Sequence, residues 1–142
     1  MGRIIGIDYG TKRIGIAVTD PMQVIASPLT TVANVLFNDF IDDYTKKENV
    51  EAFVIGYPKQ LNNSPSKSVQ HIDPFIKKLK KKFPKIMIML VDERFTSVMA
   101  MKSIIAGGVK KSDRQDKSIT DKISAALILQ SYLDSGLIIK KV

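Results

Sequence analysis

One segment constrains this chain more than any other: Gly6-Ile7-Asp8-Tyr9-Gly10-Thr11-Lys12-Arg13-Ile14-Gly15-Ile16-Ala17-Val18. Ile5 and Ile7 alternate with Ile4, Gly6 and Asp8, and Ile14, Ile16 and Val18 alternate with Gly15 and Ala17. Two period-two arms joined by a short polar turn predict a β-hairpin. The unusual residue is Asp8, a carboxylate that closes an apolar strand. Burying it without a partner costs several kcal/mol, so it belongs in a polar pocket at the end of the sheet. Gly6, Gly10 and Gly15 leave room for close approach to the backbone. Asp is also a favoured turn residue, and from this segment alone both readings stand.

The rest of the chain extends the pattern. Gln23 to Thr30 reads as a third strand, with Pro28 suited to an edge. Asn34 is expected to cap a helix bearing Leu36, Phe37, Phe40, Ile41 and Tyr44 on one face. Glu51 to Gly56 and Ile86 to Val91 are short, almost wholly apolar runs of the kind found in sheets covered on both faces. Val69, Ile72, Ile76, Leu79 and Phe83 predict a helix over 66–83. Pro74 either bends that helix or stands in its first turn behind an Asp73 cap. Thr96 or Ser97 starts a further helix that stops at Gly107-Gly108. A charged, aperiodic loop follows, and a last helix runs from about Ser118 to Ser135. A meander followed by βα units predicts a single-domain α/β chain over 1–142, with a mixed sheet and helices on both faces. Functional groups are expected where the parallel strands end, near Asp8 and near Asp92-Glu93.

Composition narrows the chemistry. The 142 residues contain no cysteine and one histidine, which excludes disulfides and thiolate chemistry and argues against a histidine-based metal site or serine triad. His71 reads as structural or exposed. No apolar run is long enough to span a bilayer, and the N-terminus enters a strand directly, so no signal peptide is expected. Net charge is +8, distributed as −1 over residues 1–50, +5 over 51–100 and +4 over 101–142. A basic balance confined to part of a small chain points to a polyanion, most simply nucleic acid. The lysine run from Lys77 to Lys85 reads as a solvated helix face.

On the last helix Asp121, Ala125, Ile128 and Tyr132 fall on one stripe, which makes Asp121 an inward-looking carboxylate. Ser118 to Asp121 also has the spacing of a capping box. Asp92 and Glu93 point to opposite faces, so one of them at most joins Asp8 directly. Three gathered carboxylates repel one another unless cations bind, and all-oxygen ligation favours Mg²⁺ or Mn²⁺. Two such ions about 3.5–4 Å apart activate water against a phosphodiester. Lys12, Arg13, Lys59, Lys110, Lys111 and Arg114 are candidate phosphate contacts, and Arg94 either orients a carboxylate or meets phosphate.

Four motifs, Gly6 to Val18, Val54-Ile55-Gly56-Tyr57-Pro58, Val91 to Ser97 and Asp121 to Leu133, together resemble the YqgF-type family. Its members are described both as Holliday junction resolvases and as pre-16S rRNA nucleases. The resemblance spans essentially the whole chain. It implies a ribonuclease H-like fold with a five-stranded mixed sheet, three antiparallel strands plus two parallel ones. It also implies a cytoplasmic divalent-metal nuclease whose site uses Asp8, Glu93 (rather than Asp92) and Asp121, acting on precursor rRNA or branched DNA as a monomer or homodimer. The segment 59–68 departs from the family pattern by lacking glycine, with Asn62 and Asn63 as substitutes. Two rivals remain: a phosphotransferase, suggested by Asp8-Tyr9-Gly10-Thr11, and a ribosome-assembly RNA-binding factor with little catalysis.

Overall fold

A computed structural model of the chain describes residues 2–58, 69–93 and 117–142. Its strands are β1 (Arg3–Asp8), β2 (Arg13–Thr19), β3 (Ala26–Ala33), β4 (Val50–Tyr57), β5 (Met87–Asp92) and β6 (Lys140–Lys141). Its helices are α1 (Phe37–Lys47), preceded by a single 3-10 turn at Asn34–Leu36, α2 (Val69–Lys82) and α3 (Lys117–Ser135). The expected polar loop 59–68, the helix expected up to Gly107-Gly108 and the charged segment 109–116 lie outside the described residues. No helix among the described residues is long and apolar enough to cross a membrane.

The strands form one mixed sheet in the order β3-β2-β1-β4-β5-β6. β1 pairs antiparallel with β2 and parallel with β4, and β4 pairs parallel with β5. The sheet thus has six strands where five were expected. The sixth is a two-residue antiparallel extension of β5, framed by Ile139 N–H donating to Leu90 O (2.6 Å) and Val142 N–H donating to Ile88 O (2.7 Å). Two lysines carry no period, so only pairing with an existing edge makes this segment a strand. β3 is the opposite edge, and its register shift falls next to Pro28, which has no N–H for a ladder.

Alternation divides the sheet into two unlike faces. Ile5, Ile7, Ile14, Ile16, Phe53, Ile55, Ile88 and Leu90 point to one, where Phe37 and Ile41 of α1 and Ile72, Ile76 and Leu79 of α2 complete a core of large side chains. Burying each is worth about 1.5–3 kcal/mol, so this face supplies most of the apolar stabilisation. The other face carries Ile4, Ala17, Ala52, Val54, Met89 and Val91, and α3 covers it with Ala125, Ala126, Ile128 and Leu129.

Small side chains let α3 lie unusually close. A methyl group on Gly15 would collide with the main-chain carbonyl oxygen of Asp121. One on Gly6 would lie 2.8 Å from Ala125 O and 2.7 Å from Leu129 Cβ, and one on Gly56 would lie 2.6 Å from Ile128 Cδ1. These glycines stand on β2, β1 and β4, three neighbouring strands, and form a shallow track for the helix backbone.

One local expectation changes, and one open alternative closes. Asn34 caps no helix: its side-chain N–H donates to Gly10 O (2.8 Å) and its backbone N–H to Lys12 O (2.9 Å), tying the end of β3 to the β1–β2 turn. Asn34 is the first residue of the 3-10 turn, whose N-cap position is Ala33, and neither that turn nor α1 has a side-chain cap. At α2, the helix runs through Pro74, so Asp73 lies inside it and not at a cap. Core contacts of Ile72, Ile76 and Leu79 on either side of Pro74 compensate the backbone bond its ring removes.

Gly15→Ala is expected to cost about 3 kcal/mol through overpacking against α3 backbone, a fall of roughly 10 °C in Tm. Gly136→Ala, where φ is +68° and nothing crowds the site, is expected to cost only about 1–2 kcal/mol. Thermal denaturation of the two variants separates close approach from backbone conformation.

Candidate active site

The carboxylate end of the sheet is built by β1, β4 and β5 running in parallel. Asp8 ends β1 and stands opposite Gly15 in the β1–β2 ladder. Because Ile5 and Ile7 belong to the large-residue face, alternation puts Asp8 on the α3 face with Ile4 and Gly6. The first turns of α3 cross the same place, since the Asp121 backbone rests on Gly15. Asp8 and Asp121 are therefore neighbours through a shared contact with Gly15, although 113 positions separate them in the chain.

At the end of β5, Met89 and Val91 belong to the α3 face and Ile88 and Leu90 to the other. Asp92 ends the strand and pairs across to Tyr57, while Glu93 leaves the ladder and enters a 3-10 conformation, so the strand register does not extend to it. Asp8, Asp92 and Glu93 each make an interaction of their own.

Asp121 is held by Arg13. The guanidinium Nε donates to Asp121 Oδ2 at 2.9 Å, with side chains 37% and 23% exposed. Arg13 shares the register of Gly15 and Ala17, so the pairing follows from which face of β2 it occupies. Arg13, expected to meet backbone phosphate, is thus committed in this conformation to a carboxylate. Among the described residues, no three acidic or histidine side chains stand close enough to share an ion. Lys12 is exposed at the β1–β2 turn. Lys59, Arg94, Lys110, Lys111 and Arg114 lie outside the described residues. His71 is exposed, as expected.

A polar contact not anticipated from sequence braces the neighbouring strand end. The Tyr57 hydroxyl donates to Asp73 Oδ1 at 2.9 Å, joining the end of β4 to α2. Burial, reinforced by the hydrogen bond to Asp73, pushes the Tyr57 hydroxyl up to about 12. No spacing rule links positions 57 and 73 across a strand and a helix, so this contact has no local signature. Arg13 was more accessible to prediction, because its period-two relation to Gly15 and Ala17 already separates it from Ile14 and Ile16.

This arrangement, a mixed sheet with helices on both faces, is a ribonuclease H-like fold. The chain overlays the RuvC of T. thermophilus, solved in complex with a Holliday junction substrate, with a TM-score of 0.57, 12% identity and coverage of 100% of both chains. It overlays the fowlpox virus resolvase, solved with Holliday junction DNA, with a TM-score of 0.53, 16% identity and coverage of 95% and 99%. At the level of sequence, the chain belongs to the RuvX family, described as Holliday junction resolvase, whose model matches residues 2–135. Relatives named as candidate pre-16S rRNA nucleases share 53% identity in Bacteroides fragilis (95% of this chain, 98% of the relative), 53% in Phocaeicola vulgatus (95% and 97%) and 51% in Porphyromonas gingivalis (95% and 98%).

Tyr57→Phe is expected to flatten the alkaline limb of the stability profile. A hydroxyl whose ionisation is raised from 10.0 to about 12 in the folded state contributes stability that is present below pH 10 and is lost as pH rises toward 12. Denaturant unfolding across that window should show a steeper loss in the parent chain than in the variant.

Proposed function

We propose that this chain is a divalent-metal-dependent endonuclease that hydrolyses phosphodiesters in structured RNA, trimming the 5′ end of 16S rRNA precursor in the cytoplasm. The observation that carries the reading is family membership over residues 2–135, in a chain whose β1 and β5 end in carboxylates at the same end of the sheet. The curated relatives named for pre-16S rRNA favour RNA as substrate. A second reading, resolution of four-way DNA junctions, is favoured by the family description and by the two resolvases that share the fold.

Asp8, Glu93 and Asp121 are the proposed ligands. Their chemistry fits hard cations such as Mg²⁺ or Mn²⁺, since every donor is a carboxylate oxygen. One or two such ions, when bound, activate water and stabilise the leaving oxygen. Completing the set requires Asp121 to exchange its Arg13 partner for the ion. Arg13 then becomes available to a substrate phosphate, so arrival of substrate and assembly of the site favour each other. The half-exposed ion pair is a modest barrier to this exchange, because pairs of this kind are worth about 0–1 kcal/mol. Lys12, together with Lys59, Arg94, Lys110, Lys111 and Arg114, supplies the proposed phosphate contacts.

Asp8→Asn tests the reading. With Mn²⁺ present, cleavage of a precursor rRNA fragment is expected to fall by roughly 100-fold or more, while binding of the same fragment persists. Unchanged cleavage rejects Asp8 as a ligand. Cleavage of a four-way junction but not the RNA selects the second reading, and binding without cleavage of either selects an assembly factor. Binding should also fall on the order of a thousandfold between about 50 and about 200 mM salt, as for a surface making several phosphate contacts.

A further inference from the structure

A cleft of about 170 Å³ opens on the sheet face opposite α3, between the β1–β2 turn, α1 and α2. Tyr9, Phe37 and Phe75 wall it, and Asn38, His71 and Lys78 stand at its rim. We infer that this cleft receives one unpaired nucleobase of the bound strand, at the same end of the sheet as Asp8 and on the opposite face. The inference rests on the nuclease reading above and adds a requirement for unpaired substrate near the cleavage position.

Three features support it. The first is the wall. Tyr9 and Phe75 rings lie 4.6 Å apart at 37°, and Phe75 meets Phe37 edge-on at 5.1 Å. Phe37 is buried, whereas Tyr9 and Phe75 keep part of their surface exposed. An aromatic cluster that lines a cleft and keeps two of its rings partly exposed suits stacking, which accepts any base because every base has a π-face.

The second is size and rim chemistry. The cleft exceeds several waters at about 30 Å³ each and is smaller than the roughly 300 Å³ at which drug-sized pockets begin. One planar ring system is the natural occupant. Asn38 offers both a donor and an acceptor to a base edge. Lys77, Lys78 and Lys81 expose positive charge along α2, while Lys80 is tied to Ile86 O and Lys82 to Asp42. The exposed lysines suit the phosphates that flank an inserted base.

The third is position. Tyr9 directly follows Asp8 at the end of β1 and packs on the face opposite α3, so the cleft and Asp8 lie at the same end of the sheet, on its two faces, and a strand that passes over this end meets both. Asn34, also at the cleft, holds Gly10 O and so couples the cleft to the turn that carries Asp8.

The test uses short single-stranded RNA in metal-free buffer, with one abasic nucleotide moved through every position. One position is expected to weaken binding about tenfold, the weight of one base–aromatic stack. That sensitivity is expected to vanish in Asn38→Trp, whose exposed site lets an indole fill the cleft without disturbing the core. RNA carrying iodouridine at the sensitive position is expected to crosslink to Tyr9 or Phe75. Binding that is indifferent to every abasic position, or crosslinks found only elsewhere, overturns the inference and leaves the nuclease reading intact. Absence of any RNA binding overturns both.

Discussion

The structure depends on how closely α3 approaches the sheet. A helix normally rests on side chains, but here its backbone rests on Gly15, and the side chains of Leu129 and Ile128 close over Gly6 and Gly56. Close packing forfeits nothing in dispersion, because neighbouring Ala17, Ala52, Ala125 and Ala126 fill the remaining space. It also fixes the helix laterally, since any larger residue on the track would lift one end. The Asp121 backbone, in an early turn of α3, is held against Gly15, the residue opposite Asp8 in the β1–β2 ladder.

The two faces of the sheet therefore have different duties. The face under α1 and α2 is crowded with isoleucine and phenylalanine and stabilises the fold. The α3 face is thin and carries polar groups at its edge: Asp8 and Arg13 both belong to it. Arg13 balances Asp121, so the negative charge that a cation site needs does not destabilise the resting protein. In the proposed reading, the same arginine links substrate binding to completion of the site.

Much of this was legible in the residues. The hairpin, the two apolar strands, the edge position of Pro28 and the extent of α3 follow from local period and punctuation, which act over a few residues. The carboxylate end of the sheet was legible because Asp8 interrupts an apolar strand. Asn34 was misread because its preference for helix starts competes with acceptors supplied by a turn more than twenty residues away. Lys140–Lys141 and the bond from Tyr57 to Asp73 escaped for the same reason: each exists only because distant segments meet. The packing of Val91 against α3 assigns the faces of β5, a long-range fact that no local pattern carries, and Glu93 lies beyond the last residue of that ladder.

The proposed function turns on whether Asp8, Glu93 and Asp121 share a cation. The most direct measurement is anomalous diffraction from crystals of the chain equilibrated with MnCl₂. The account expects a manganese peak bounded by those three carboxylates, with Arg13 withdrawn from Asp121. Manganese absent from that position, with Arg13 still bonded to Asp121 at saturating metal, would contradict it.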